Sequence, residues 1–313
     1  MALLAEYALT PDVFDSASYA GEEIGDLHLS HLKEALLDDG VVRSLRNGEW
    51  LAQFSGDGRM WHRRGKELLH KLDKQGRLRA CAPVGNACPA VDCDWCHEAL
   101  GSHARLPLGG IVVTDCVASA FVGNPLVASV TKLPAAQWWS ERSPSARLVR
   151  TKVEYQRHLG LLLECSRSIA FIDAHLDPSQ GRYKDFVAIL AGMAGMKRVP
   201  RIELHRVCHS QLRGEKPDKR PDPELRPLFL RELSSPLKAA GMSIEAFFWD
   251  DFHDRHIVSN LAVLHLGNGL DTTTHPSAMT TWTRLGRREA DDVRREFDPA
   301  SGRHTLVERF PIP

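Results

Sequence analysis

The chain has no surplus of charge. Lys and Arg total 40, Asp and Glu total 40, and the formal net charge at pH 7 is zero. No global field therefore draws it to nucleic acid or anionic lipid, and attraction to a polyanion has to come from a local patch. It also lacks an uninterrupted apolar run long enough to span a bilayer. Residues 109–130 contain no Lys or Arg, but Asp115, Asn124 and Pro125 break the run. A spanning helix needs about 20 predominantly apolar residues, and an Asp near its middle is costly. Buried strands over IVVTDCVASAFV and LVASVTKL are the expectation there. The opening MALLAEYALTPDVFD is acidic and too short in its apolar part for export, which predicts a cytoplasmic chain with free thiols. No internal repeat and no low-complexity segment is present.

The 313 residues suffice for two domains, each with its own core. The Pro-flanked, Ser-containing run PAAQWWSERSP at 134–144 marks the boundary, giving expected domains 1–140 and 141–313. In the first, residues 29–39 read as an amphipathic helix stopped by Gly40, and 60–74 as a second helix opening with the basic HRRGK. Residues 41–53 read as extended, with a turn at Asn47-Gly48. In the second, apolar runs at 168–174 and 201–207 read as strands, and 146–165 and 183–194 as helices. A charged, Pro-containing stretch at 211–227 reads first as a disordered loop, and in the alternative as one whose Arg213, Lys216, Lys219 and Arg220 close over a polyanion. A broken helix at 228–240, strands at 243–249, 261–266 and 280–285, and a helix at 287–297 follow. The expected fold class is α/β: a layered C-terminal α/β domain with a mixed sheet, preceded by an α+β N-terminal domain.

Two stretches carry chemistry. CAPVGNACPAVDCDWC places Cys81, Cys88, Cys93 and Cys96 close together among the seven cysteines. Four thiolates suit one structural Zn²⁺, and Cys93-x-x-Cys96 has ligand spacing. The spacing of Cys81 and Cys88 does not repeat it, and no distant Cys-x-x-Cys exists. The other reading is that these are small buried apolar residues. The second stretch is EAFFWDDFHDRHIVSNLAVLHLGNGLD at 245–271. Two β-type runs flank a polar insert. If the insert is extended, His253 and Arg255 share one face. Imidazole can attack or move a proton while guanidinium holds anionic oxygens, so the pair is a candidate phosphate site. Gly267 and Gly269, around Asn268, would let backbone N–H groups approach the same phosphate.

The spacing resembles the phospholipase D superfamily, whose motif is His-x-Lys, four residues, Asp, six residues, then Gly-Ser-x-Asn. His253, Arg255, Asn260, Gly267, Asn268, Gly269 and Leu270 align to it without a gap. The His and the first Gly match; Arg replaces Lys, Asn replaces Asp, and Asn-Gly-Leu replaces Ser-x-Asn. The His-Asp-Arg form followed by Leu-Gly-x-Gly-Leu-Asp is also similar to the phospholipase-D-like domain at the C-terminus of MIT-domain proteins, a membrane-binding module. The resemblance covers the C-terminal half only. It implies a phospholipase D-like domain and metal-independent phosphodiester hydrolysis, with DNA or RNA as substrate and His253 as nucleophile through a phosphohistidine. Arg255 and Asn260 would assist, and Gly267, Asn268 and Gly269 would hold phosphate. One motif supplies one imidazole, so a homodimer is implied, with His175 and His205 as in-chain substitutes. The second implication is a non-catalytic module for anionic phosphates, either membrane headgroups or nucleic acid, or a scaffold.

Overall fold

In a computed structural model that describes residues 3–56, 58–196, 198–209 and 220–313, the chain forms two compact units, Leu3–Ser143 and Pro144–Pro313. The division falls inside the Pro-flanked run at 134–144. Arg213, Lys216 and Lys219 lie outside the described residues.

The first unit runs β1 (Ala5–Leu9), α1 (Glu22–Asp39), β2 (Gly40–Ser44), a short α2 (Glu49–Ala52), α3 (Arg63–Lys74), β3 (Leu78–Ala80), α4 (Asp92–Arg105), β4 (Gly110–Val113), a short α5 (Asp115–Ser119), β5 (Val127–Ser129) and a short α6 (Gln137–Ser140). The strands pair in the order β3-β2-β1-β4-β5, every neighbour parallel. This corrects the expected α+β architecture. Parallel neighbours cannot be joined by a hairpin, and here α1, α3, α4 and α5 fall within the crossovers. The unit is α/β. The 109–130 run resolves into β4, α5 and β5, and no helix among the described residues is long and apolar enough to cross a membrane.

Local chemistry sets these elements. Glu22 and Glu23 occupy the first turn of α1, where carboxylates oppose the helix dipole favourably. At its other end the Gly40 N–H donates to the Leu36 carbonyl, and a Cβ on Gly40 would press into Leu36. Within the sheet, Arg43 is fully buried and donates to both Glu6 carboxylate oxygens, at 2.9 and 2.6 Å. Arg79 adds a bond to Glu6 at 2.7 Å. Around this polar pin lies an apolar core that includes Trp50, Phe14, Leu32 and Ile111.

The second unit runs β6 (Ser145–Val149), α7 (Lys152–Cys165), β7 (Ser168–Asp173), α8 (Lys184–Gly192), β8 (Arg201–Val207), α9 (Leu225–Ala239), β9 (Ile244–Trp249), β10 (Arg255–Ser259), β11 (Val263–Leu266), β12 (Met279–Arg284), α10 (Arg287–Glu296) and β13 (Leu306–Ile312). Its eight-stranded sheet has the order β13-β9-β8-β7-β10-β11-β12-β6. The β7-β8-β9 segment is parallel and the remaining pairs are antiparallel, so the sheet is mixed. Two readings change. Residues 145–149 form an edge strand on β12, and the helix begins only after Thr151, whose hydroxyl caps the Glu154 N–H. The hairpin of the focal stretch is β10–β11, because β9 lies four places from β11 in the sheet. The polar insert therefore contains a strand of its own.

Four histidines, His158, His175, His205 and His256, are held below the usual imidazole pKa, in each case chiefly by burial. The fold disfavours their protonation, whereas the unfolded chain protonates its histidines below about pH 6.5. The unfolded state then binds more protons, so stability falls as pH falls through that value. The melting temperature should decline between about pH 7 and about pH 5.5, before carboxylates titrate. Replacing His256, buried beside His265, with Gln should flatten that decline. A melting temperature constant across this window contradicts the account.

Candidate functional site

The carboxyl end of β7 meets the start of β10, with Asp173 opposite Arg255. Asp173 is completely buried. Its Oδ1 accepts the His175 N–H at 3.0 Å, and its Oδ2 accepts the Leu270 N–H at 2.9 Å and the Tyr183 hydroxyl at 3.2 Å. The Arg255 Nε stands 3.7 Å from Oδ1. One carboxylate thus joins β7, the turn before α8, the loop after β11 and β10. A Cβ on Gly269 would overlap this carboxylate, so only glycine lets the loop close onto it.

Above this joint lies an open cleft of about 460 Å³. Arg150, His175, Arg182, Arg255 and Asp271 line it, together with the 267–269 loop and Thr272. Asp271 gathers two of the guanidiniums: Arg150 pairs with its Oδ2, and Arg182 stands 3.9 Å from the same atom. The Asp271 carbonyl in turn accepts the Tyr155 hydroxyl at 3.0 Å. Thr272 holds the Arg182 segment by donating its N–H to the Arg182 carbonyl at 2.7 Å and its hydroxyl to Asp185 at 2.8 Å. The Arg182 guanidinium lies over the Tyr183 ring at 5.2 Å. Three permanent cations therefore meet two carboxylates around one polar cavity. His175 adds a neutral imidazole, because burial and the nearby Arg255 hold its pKa down, with Asp173 opposing.

The residues read from sequence fall into three groups. Arg255, Gly267, Asn268 and Gly269 line the cleft. Two backbone donors of the loop are already used: the Gly267 N–H goes to the Thr281 carbonyl at 2.9 Å and the Asn268 N–H to the Thr280 hydroxyl at 3.1 Å. His253 is exposed and is not among the lining residues. It precedes β10, so the strand alternation that would pair it with Arg255 starts two residues too late. Asn260 follows the far end of β10, where its Oδ1 accepts the Arg167 N–H at 2.7 Å. His205 is sealed in the core, stacked on Phe247 at 4.5 Å, and accepts the Trp249 indole N–H at 3.1 Å. Of the two in-chain imidazoles, His175 alone reaches the cleft. Arg150, Arg182, Asp173 and Asp271 were not legible as site residues. An Asp closing the apolar run SIAFID, and the Asp ending Gly-Leu-Asp, were the available signals.

The four cysteines read as zinc ligands do not gather. Cys96 faces the apolar core and its thiol is pushed up to about 12 by burial. Cys88 is exposed and lies 3.5 Å from a Glu49 oxygen, and Cys81 contacts the Ala82 carbonyl. Cys93 begins α4 beside Asp92. Among the described residues no group of three or more His, Cys, Asp or Glu side chains is placed to hold a metal ion.

No family model matches the chain, and no curated protein matches it. Among solved structures, that of TrmBL2, an archaeal chromatin protein with a novel mode of DNA binding, is 12% identical over 79% of this chain and 84% of that one, with a TM-score of 0.28. A likeness that loose carries no argument about fold or ligand.

The contact between Gly269 and Asp173 gives a direct test. Gly269→Ala should destabilise the chain by about 2–4 kcal/mol, since the added carbon has a buried carboxylate in its place. Asp173→Ala should also destabilise, by leaving the Leu270 and Tyr183 donors without an acceptor. In the double variant the two losses should fall short of additive, because the second removes the clash caused by the first. Strict additivity in denaturant titrations would remove Asp173 as the loop's anchor.

Proposed function

We propose that the C-terminal unit binds a phosphate-bearing ligand in the cleft between β7, β10 and the 267–273 loop. The observation that carries this reading is the convergence of Arg150, Arg182 and Arg255 on one open, polar cavity with two balancing carboxylates. Guanidinium matches phosphate oxygens in geometry and charge, and a site with residual positive charge gains from an anion. The resemblance to the phospholipase D superfamily, and to the MIT-associated domain within it, supports the same ligand chemistry. The ligand's phosphate would meet Arg255 and Arg182 directly, while Asp271 keeps Arg150 and Arg182 oriented.

A second reading is supported by one feature. His175 is a neutral imidazole on the cleft wall, the state in which imidazole attacks phosphorus or accepts a proton. The chain would then be a metal-independent phosphodiesterase acting on DNA or RNA. His253, exposed outside its own cleft, would serve as a second imidazole only from the other copy of a homodimer.

Calorimetric titration with inorganic phosphate and with a short single-stranded oligonucleotide tests binding. Arg255→Ala and Arg182→Ala should each weaken it by about tenfold or more, as expected for loss of a charge-assisted bond. Binding should also weaken as salt is raised. Affinity unchanged in both variants refutes the site. Phosphodiesterase assay in EDTA separates the readings. Turnover that vanishes in His175→Ala and in His253→Ala supports hydrolysis, and binding without turnover leaves the module non-catalytic.

A further inference from the structure

The cleft of the C-terminal unit has one imidazole among its lining residues, that of His175. The residue lies two places beyond the end of β7 and is half-buried. Its backbone N–H donates to the Asp173 Oδ1 at 3.0 Å, which fixes the main chain. Among the described residues no hydrogen bond reaches the ring. Polar groups so placed are ordinarily hydrogen-bonded, so two unused ring nitrogens on a cleft wall point to a ligand.

Four charged groups act on that ring, each from a different element. Arg255 comes from β10, Arg182 from the turn before α8, Arg206 from β8 and Asp173 from β7. Three of the four are cations. Arg206 is buried and spends its guanidinium on the carbonyls of Leu176, Val207 and His209, at 2.9, 2.7 and 3.1 Å. Asp173 opposes them, but its oxygens already accept the His175 and Leu270 N–H groups and the Tyr183 hydroxyl. Arg150 and Asp271, also on the wall, pair with each other. In the empty cleft, burial and these cations together hold the ring's pKa below its usual value.

An anion reverses the field at the ring. A phosphate that meets Arg255 and Arg182 sets negative oxygens beside a group that had faced mainly guanidiniums. The protonated ring has two N–H donors, and a bond between opposite charges is among the strong ones. We propose, resting on the phosphate reading above, that a bound phosphate group draws one proton onto His175, which then serves as the fourth cation of the cleft. In that state the ring has no lone pair with which to attack phosphorus and can only donate. Binding and protonation are then linked, each strengthening the other. The complex holds one proton more than the separate chain and ligand, so affinity rises as pH falls. The rise levels off once the ring of the empty cleft is protonated too.

The test is calorimetric titration of the full chain with an oligothymidylate that lacks a terminal phosphate. It runs at constant salt from about pH 8 to about pH 5.5, where imidazole titrates and this probe does not. Inorganic sulfate, a dianion of phosphate's shape that keeps its charge there, serves if the cleft admits a free ion but not a strand. Affinity should rise about tenfold across the window. Heats measured in buffers of different ionisation enthalpy should show proton uptake on binding. His175→Gln, whose amide takes no charge, should lose the rise, whereas His70→Gln, exposed on α3 of the first unit, should keep it. Proton uptake by the unaltered chain decides the matter if His175→Gln fails to fold. Binding without proton uptake, or a rise that survives in His175→Gln, overturns the inference and leaves the phosphate reading standing. Absence of binding by both probes at every pH removes the phosphate reading, and the inference with it.

Discussion

A single buried carboxylate governs the C-terminal unit. Asp173 stands where the parallel and antiparallel parts of the sheet join, because β7 pairs with β8 in one sense and with β10 in the other. Its oxygens are occupied by a backbone N–H from its own chain turn, a second from the loop after β11 and the Tyr183 hydroxyl. Isolated in a low-dielectric interior such a charge would be expensive. Here it is hydrogen-bonded on both oxygens and faces Arg255, and every one of those partners is a structural commitment. The loop must approach, so position 269 must be glycine. The loop's approach then brings Asp271 to Arg150 and Arg182. The cationic cleft follows from the requirements of the carboxylate beneath it.

Neutral overall charge conceals two local fields of opposite sign. The cleft of the C-terminal unit concentrates guanidiniums, whereas a pocket of the N-terminal unit, beyond the ends of β1 and β4, is lined by Asp12, Asp92 and Asp115. Each field is built at strand ends, where the sheet fixes backbone positions and the connecting loops are free to carry charged side chains. Composition averages such features away, which is why a formal charge of zero excludes a global steering field and says nothing about either local one.

The pattern of apolar residues made most of the second unit legible. The strands at 168–173, 201–207 and 244–249 and the helices after 184 and 287 follow directly from apolar runs and periodicity. What stayed hidden did so for identifiable reasons. β1 carries Glu6 as the second residue of a buried strand, and its partners Arg43 and Arg79 come from distant parts of the chain. A pattern reading sees an unpaired charge and passes over the strand, and without β1 the parallel order cannot be recognised. β6 was masked by α7: Leu148 falls in helical register with Tyr155, Leu159 and Leu162, and only pairing with β12 makes residues 145–149 extended. β13, LVERFPI, carries the adjacent charges Glu308 and Arg309 and contains Pro311, features of an edge strand with a weak signature. At the site, Arg255 and the Gly-Asn-Gly loop were readable as local motifs. Asp173, Arg150 and Arg182 come from separate elements, and only the folded sheet assembles them.

The placement of β13 has a consequence for how the unit is made. β9 is almost wholly apolar, IEAFFW, and one of its edges is covered solely by β13. More than fifty residues separate the two strands, so during synthesis β9 emerges long before its cover exists. Through that interval a hydrophobic strand presents open N–H and C=O groups, the kind of edge on which foreign strands add. Its protection in the finished sheet comes from Glu308 and Arg309 on the outermost strand and from Pro311, which has no N–H to offer a further neighbour. Until β13 is made, no other strand of the finished order covers that edge of β9.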